Sequence, residues 1–335
     1  LNPDGTRQLD PQGKPIPAYD QDAIEQFARV FTGWTYPTRP GQTLRWPNPE
    51  NYVGRMEPFA AQHDTGAKTL LLGQLLPASQ TAQKDVSDAI DNVFNHPNVG
   101  PYIGKQLIQF LVTSNPSPAY VARVSAAFNN NGQGVRGDMK AVLRAVVLDT
   151  EARGAAKPDT SYGKLREPVL VMSGIVRALN GSTDGVYLRA QSEQSGQFPL
   201  EAPTVFNFYP PDYLVPGTTD LLGPQFKIFH TDTVLRRANF VNDLLFTNGG
   251  NVRPVTDLPG ATGTQVSIAN LTPSAGTPEN IVNWLNTVLM PGLLAPADTQ
   301  AIVTAVNAVP TTDATKRART AVYLAATSPQ YNVSR

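Results

Sequence analysis

The chain has no cysteine among its 335 residues. That removes disulfides, thiolate nucleophiles and cysteine-ligated zinc or iron–sulfur centres from consideration. Charge is also in short supply. Lys and Arg (27) balance Asp and Glu (27), only 16% of residues are charged, and no Lys/Arg cluster stands out. A nucleic-acid partner is therefore not expected, because gripping phosphates takes a basic patch or stripe. No apolar run approaches the ~20 residues needed to cross a bilayer, so no transmembrane segment is expected. Imidazole is scarce too: His63, His96 and His230 are the whole supply. A metal site would need two or three further ligands around any of them, and neither a metal nor a cofactor is expected.

What is abundant is proline, at 30 residues, together with 26 glycines and many Asn and Thr. Against so few charges this implies long, ordered loops, a style common outside the cytosol. Absence of cysteine fits an exported bacterial protein without requiring one. A chain of this length buries a large core, as one large domain or two smaller ones.

The densest core-forming stretch runs from Asp85 to Arg153. Val86, Ala89, Ile90, Val93 and Phe94 recur with helical spacing, which predicts one buried helix face. Thr81 or Asp85 caps its start and His96-Pro97-Asn98 stops it. A second helix follows from Pro101, with Ile103, Leu107, Ile108 and Leu111 inward. A third starts at Pro118, with Val121, Val124, Ala127 and Phe128 inward, and ends at Asn129-Asn130-Asn131-Gly132. A fourth runs from about Asp138 through Val142, Leu143, Val146 and Val147. Links this short predict antiparallel packing.

Elsewhere, Asn2-Pro3-Asp4-Gly5 and Asp10-Pro11-Gln12-Gly13 read as turns of hairpins. Asp20 caps a helix carrying Ile24, Phe27, Ala28 and Phe31, which Gly33 ends. A polar link at Lys157 to Gly163 precedes a helix led by Lys164-Leu165-Arg166-Glu167-Pro168, with Val169, Met172, Ile175, Val176 and Leu179 as its stripe. A helix or helix pair spans Gln225 to Thr247, and three more run over Pro278 to Leu289, Pro296 to Val309 and Thr312 to Ala326. Segments 35–84, 180–220 and 248–278 read as irregular. The fold class is thus mainly α: a multi-helix globular bundle with long Pro- and aromatic-rich loops and a few short β-hairpins. It is expected as one α-helical domain over 1–335, its helical core at about 85–180 and 220–330.

Two kinds of candidate site emerge. The run Ala61-Gln-His-Asp-Thr-Gly-Ala-Lys68 brings an imidazole (His63), a carboxylate (Asp64) and an ammonium (Lys68) together, the parts of an acid–base group, its orienter and an anion anchor. Arg166 and Glu167, at a helix start, are candidates to complete it. The alternative is a tight turn with Gly66 at positive φ, Asp64 on turn amides and Lys68 opening a short strand; the turn is the commoner outcome. The second kind is aromatic: Trp34 just after the first helix, Trp46 and Tyr52 in the first irregular segment, and Phe206, Phe208, Tyr209 and Tyr213 in the second. Such rings form a ligand-stacking surface or pin their own loops. Arg236-Arg237 is too little for a phosphate site.

Six phrases occur in order: Phe31-Thr32-Gly33-Trp34, His63-Asp64-Thr65-Gly66-Ala67-Lys68-Thr69, His96-Pro97-Asn98-Val99-Gly100, Leu165-Arg166-Glu167-Pro168, the Pro203 to Tyr213 run, and Thr327-Ser328-Pro329-Gln330-Tyr331. Together they make the chain similar to the bacterial family known as domain of unknown function 1800. The resemblance spans essentially the whole chain and implies an exported, periplasmic or extracellular protein. It also implies a partner in the family domain of unknown function 1501, which such proteins often accompany, but it supplies no catalytic residues. Family members usually extend further at the N-terminus, and Leu1 opens directly on a turn, so the chain reads as a processed or proteolytic piece, roughly the last two thirds of a typical member. The leading functional expectation is a non-catalytic scaffold or binding protein acting on a partner protein or surface glycan. The alternatives are a hydrolase-type enzyme at His63, Asp64 and Lys68, and a self-assembling surface or filament subunit.

Overall fold

A computed structural model of the chain describes residues 1–154, 161–247, 251–252 and 258–335. Residues 157–160 of the polar link, and part of the 248–278 segment, lie outside the described residues. The protein is mainly helical, with thirteen α-helices among the described residues and only short antiparallel strand pairs. No described helix is long and apolar enough to cross a membrane. Its contacts divide it into two compact units, residues 1–105 with 117–149, and residues 106–116 with 150–335.

In the first unit, α1 (Gln21–Val30) is capped by the Asp20 side chain. Two-residue strands pair antiparallel, β1 (Trp34–Thr35) with β2 (Glu57–Pro58) and β3 (Lys68–Thr69) with β4 (Leu75–Leu76). α2 (Ala82–Asn95) is capped by Thr81, and α3 (Val99–Leu111) follows, with its residues from Gln106 onward counted in the second unit. α4 (Pro118–Asn129) is capped by Ser117 and carries proline at its first position, where the missing N–H costs nothing. α5 (Met139–Val147) is capped by Asp138. α4 and α5 pack on each other, burying Val121, Val124, Phe128, Val142 and Val146 as their spacing predicts, while Leu143 and Val147 of the same series stay exposed. Tyr120 adds a hydrogen bond to the Val146 carbonyl.

α2 departs from expectation. Its buried face is Ala82, Asp85, Ala89 and Asn92, while Ile90, Val93 and Phe94 are exposed. The helix is rotated away from its more apolar stripe because two polar side chains have dedicated partners. Asn92 receives the Leu71 N–H and donates to the Leu71 carbonyl, at 3.1 and 2.9 Å; Asp85 enters an ionic network. Satisfying buried hydrogen-bonding groups outweighs the few kcal/mol that a Val or Ile gains by burial.

The second unit contains α6 (Thr150–Arg153), α7 (Pro168–Ala178), α8 (Val186–Gln194), α9 (Thr231–Phe246), α10 (Pro278–Val288), α11 (Pro296–Asn307), α12 (Ala314–Thr327) and α13 (Pro329–Asn332). β5 (Lys164–Leu165) pairs with β9 (Val333–Ser334). β6 (Ser182–Thr183), β8 (Thr264–Gln265) and β7 (Asn251–Val252) form a small sheet in the order β6-β8-β7. One apolar core joins α7, α9, α10, α11 and α12, from Val171 through Phe240, Leu244, Ile281, Leu285 and Val303 to Val322. The expected loop at 180–220 contains α8. Its apolar residues, Val186, Tyr187 and Leu188, sit together at one end rather than recurring, so periodicity does not reveal it. Packing against α7 and α9 holds it instead, including a stacked Tyr187–Phe240 pair 5.8 Å apart.

Candidate functional site

The His63 run folds against the end of α1. Thr32 donates its hydroxyl to the Arg29 carbonyl at 2.7 Å and accepts the Asp64 N–H at 2.9 Å, tying the Phe31–Trp34 phrase to the His63–Thr69 phrase. The contact requires glycine at 33. Its φ is 79°, and a Cβ there would stand 2.8 Å from the His63 nitrogen. Gly66 makes room for Arg29 rather than for the left-handed turn the sequence suggests. Its φ lies outside the left-handed region, but a Cβ would fall 2.4 Å from Arg29 Nη2.

Around this junction five ionisable groups converge. Arg29 grips Asp64 with two hydrogen bonds, Nε to Oδ2 at 2.9 Å and Nη2 to Oδ1 at 3.0 Å. Lys68 donates to the Asp64 and Gly66 carbonyls and pairs with Asp85 Oδ2 at 2.7 Å. His63 Nε2 lies 3.1 Å from the same Asp85 oxygen, and its Nδ1 lies 3.0 Å from the Thr32 carbonyl. Gln80 donates to Asp85 Oδ1 at 2.7 Å. His63, Lys68 and Asp85 are all buried, and the three N–H groups of Lys68 have three acceptors. An ammonium so engaged has no N–H left to anchor an anion. Two cavities of this unit, about 680 and 610 Å³, have other walls, around Tyr19 and Leu72 and around Phe31, Trp34 and Met56. What His63, Asp64 and Lys68 form is an ionic tie between α1, β3 and α2, buried at His63, Lys68 and Asp85 and about one-third exposed at Arg29 and Asp64.

The Arg29 hydrogen bond holds the Asp64 carboxyl well below the usual range. For Asp85, burial pushes upward, but Lys68, Gln80 and the His63 charge together outweigh it and the carboxyl is again lowered. Both folded-state values lie below the ordinary 3.8. The stability these groups contribute is therefore complete above that value and lost as pH falls through the lowered ones. In urea titrations, stability is expected to hold from neutrality down to about pH 5 and to fall below about pH 4. Asp64→Asn and Asp85→Asn should each flatten that decline, and an identical slope in wild type and both variants would remove the network as its cause.

Arg166 and Glu167 belong to the second unit, with partners of their own. Arg166 lies over the Tyr331 ring at 4.7 Å and donates to the Leu289 carbonyl. Glu167, at the start of α7, accepts from Gln197 at 2.6 Å and stands 3.7 Å from the buried Lys164 ammonium. Burial lowers the Lys164 pKa, with Glu167 opposing. The Arg166 N–H also bonds the Asn332 carbonyl at 2.7 Å, so the Leu165–Pro168 phrase is joined to the chain's closing phrase. Arg237, discounted on sequence, is buried. Its Nη1 donates to the Arg166 carbonyl and Asn332 Oδ1, and burial draws its pKa down to about 10. Arg236, its neighbour, pairs with Asp232 at the surface.

The aromatic candidates divide. Tyr52 is 79% exposed, with its edge on Tyr36; Trp46 is 42% exposed and packs on Phe59; Phe206 is 51% exposed. Trp34, Phe208 and Tyr213 are half-buried, and Lys227 sits over the Tyr213 ring. Tyr209, expected among the exposed rings, is buried against Phe110. Asn48 anchors the Trp46–Tyr52 loop: it is buried, donates to the Tyr36 carbonyl at 2.8 Å, and gives its own N–H to Thr35 Oγ1 at 2.8 Å.

Among the described residues no three His, Asp or Glu side chains are grouped as metal ligands. Fold and site together define a mainly helical protein that carries a partly buried ionic tie in one unit and ring-bearing loops. The chain matches, over residues 10–333, the family described as "protein of unknown function (DUF1800)", and it belongs to that family. Neither the curated proteins nor the solved structures provide a match.

Proposed function

We propose that the protein is an exported, non-catalytic binding or scaffold protein whose loop-borne rings dock a partner protein or a surface glycan. The observation that carries this reading is the pairing of exposed Trp46 and Tyr52 with the buried Asn48 anchor beneath them. Rings held in place by a stiff loop lose little entropy on binding, and flat faces suit both sugar rings and apolar side chains. A periplasmic or extracellular location goes with it, as does an exported member of the domain of unknown function 1501 family as partner. Cell fractionation of the native host tests the location.

The closed state of the His63–Lys68–Asp85 group counts against the hydrolase reading, although the convergence of those three side chains is what that reading would need. One experiment separates the two. Trp46→Ala/Tyr52→Ala should weaken retention on the partner or on soluble cell-surface polysaccharide by roughly tenfold or more, with unfolding unchanged. If His63→Ala instead abolishes a hydrolytic turnover while the protein stays folded, the binding reading fails.

A further inference from the structure

The second unit encloses a cavity of about 350 Å³ bounded by α9, the Pro224–Ile228 turn, β5 and the chain's closing residues. Its walls are almost wholly apolar, with Leu165, Val171, Phe226, Phe229 and Val241 among them. The cation in this wall is Arg237, which is only 4% exposed. Nη1 is engaged, but Nε and Nη2 are buried with no hydrogen-bond partner. Among the described residues no carboxylate comes within ion-pair reach of this guanidinium; Glu167 is already held by Gln197 and Lys164.

The unused edge is informative, because elsewhere in the chain the same edge grips carboxylates. Arg29 takes Asp64 through Nε and Nη2 at 2.9 and 3.0 Å, and Arg123 takes Asp149 through the same two nitrogens at 2.7 and 2.8 Å. A guanidinium fork matches the two oxygens of a carboxylate, and a buried, unsatisfied cation is costly. With a single cation and apolar walls, the site suits one carboxylate carrying an apolar tail better than a phosphate or a sugar.

We propose that this cavity binds a small apolar carboxylate, held by Nε and Nη2 of Arg237 with its tail among Leu165, Val171, Phe226 and Val241. The Phe229 ring lies over the guanidinium at 4.8 Å.

Octanoate is the probe, and 1-octanol is its uncharged counterpart. Octanoate should raise the unfolding temperature of the purified protein with increasing concentration, and calorimetry should show it binding roughly tenfold or more tightly than 1-octanol. Arg237→Met should weaken octanoate by about the same factor while leaving the protein folded. Ala238→Phe, which fills the cavity and keeps the arginine, should also abolish binding. The proposal is overturned if millimolar octanoate leaves unfolding unchanged, if 1-octanol binds equally well, or if Ala238→Phe retains octanoate. Should Arg237→Met not fold, the alcohol comparison and Ala238→Phe still decide.

Discussion

Asp85→Ala is expected to destabilise the first unit by about 3–5 kcal/mol, the usual cost of stranding buried charges by removing their partner. The carboxylate is fully buried, and it faces Lys68 at 2.7 Å and His63 at 3.1 Å. Without it, the Lys68 ammonium keeps two carbonyl partners and the partly exposed Asp64 carboxylate 3.8 Å away, and its charge has no buried counter-ion. Lys68→Met alone should cost a similar amount, for the mirror-image reason. The double variant Lys68→Met/Asp85→Leu should cost much less than the sum, because neither charge then remains to be solvated. Tryptophan fluorescence reports on each unit separately: Trp34 and Trp46 lie in the first and Trp284 in the second. Urea unfolding in a Trp284→Phe background reads the first unit alone. Additive costs, or a loss under about 1 kcal/mol for Asp85→Ala, would mean the pair is not what fastens α2 to the loop.

Arg317→Met should be nearly as damaging, by about 3 kcal/mol, in the second unit. Arg317 is 2% exposed on the buried face of α12. Its guanidinium donates to the Ala275 carbonyl at 2.7 Å, the Val309 carbonyl at 2.6 Å and Asn307 Oδ1 at 2.9 Å. Two of those acceptors lie at or just past the C-terminal end of α11, Asn307 on its last residue and Val309 two residues on, where a cation also meets the negative pole of the helix. Methionine fills much of the volume but leaves every acceptor dry, and a buried unsatisfied acceptor costs about 1–3 kcal/mol. Arg317→Lys should recover only part of the loss, since a compact ammonium cannot span three acceptors fixed by a planar fork. Unfolding followed through Trp284 in a Trp34→Phe/Trp46→Phe background checks the order wild type, lysine, methionine. Equal stability of all three would show that water serves those carbonyls.

The legible parts of the protein are those whose stability is local. Proline at the first position of α4, α7, α10 and α11, the Thr81, Ser117 and Asp138 caps, and the spacing of Val121, Val124 and Phe128 each state a helix within a dozen residues. The illegible parts depend on distant chain. α8 lacks periodicity and exists because α7 and α9 cover it. The buried role of Asp85 is invisible beside the apolar Ile90 and Val93, because its partners Lys68 and His63 lie 17 and 22 residues earlier. Arg236-Arg237 reads only as too little for a phosphate site, because the partners of Arg237, Arg166 and Asn332, lie 71 and 95 residues away.

By itself the sequence determined the helical character, the capped ends of most rods, the loops that carry Trp46 and Tyr52, and the family to which the chain belongs, since each rests on short-range sterics or on contiguous phrases. Tertiary structure alone decided which face of α2 is buried, that His63 and Lys68 are sealed rather than presented, and that one arginine edge is left without a partner. Charge and hydrogen-bond satisfaction are set by three-dimensional neighbours and a local dielectric, and neither is written in the order of residues along the chain.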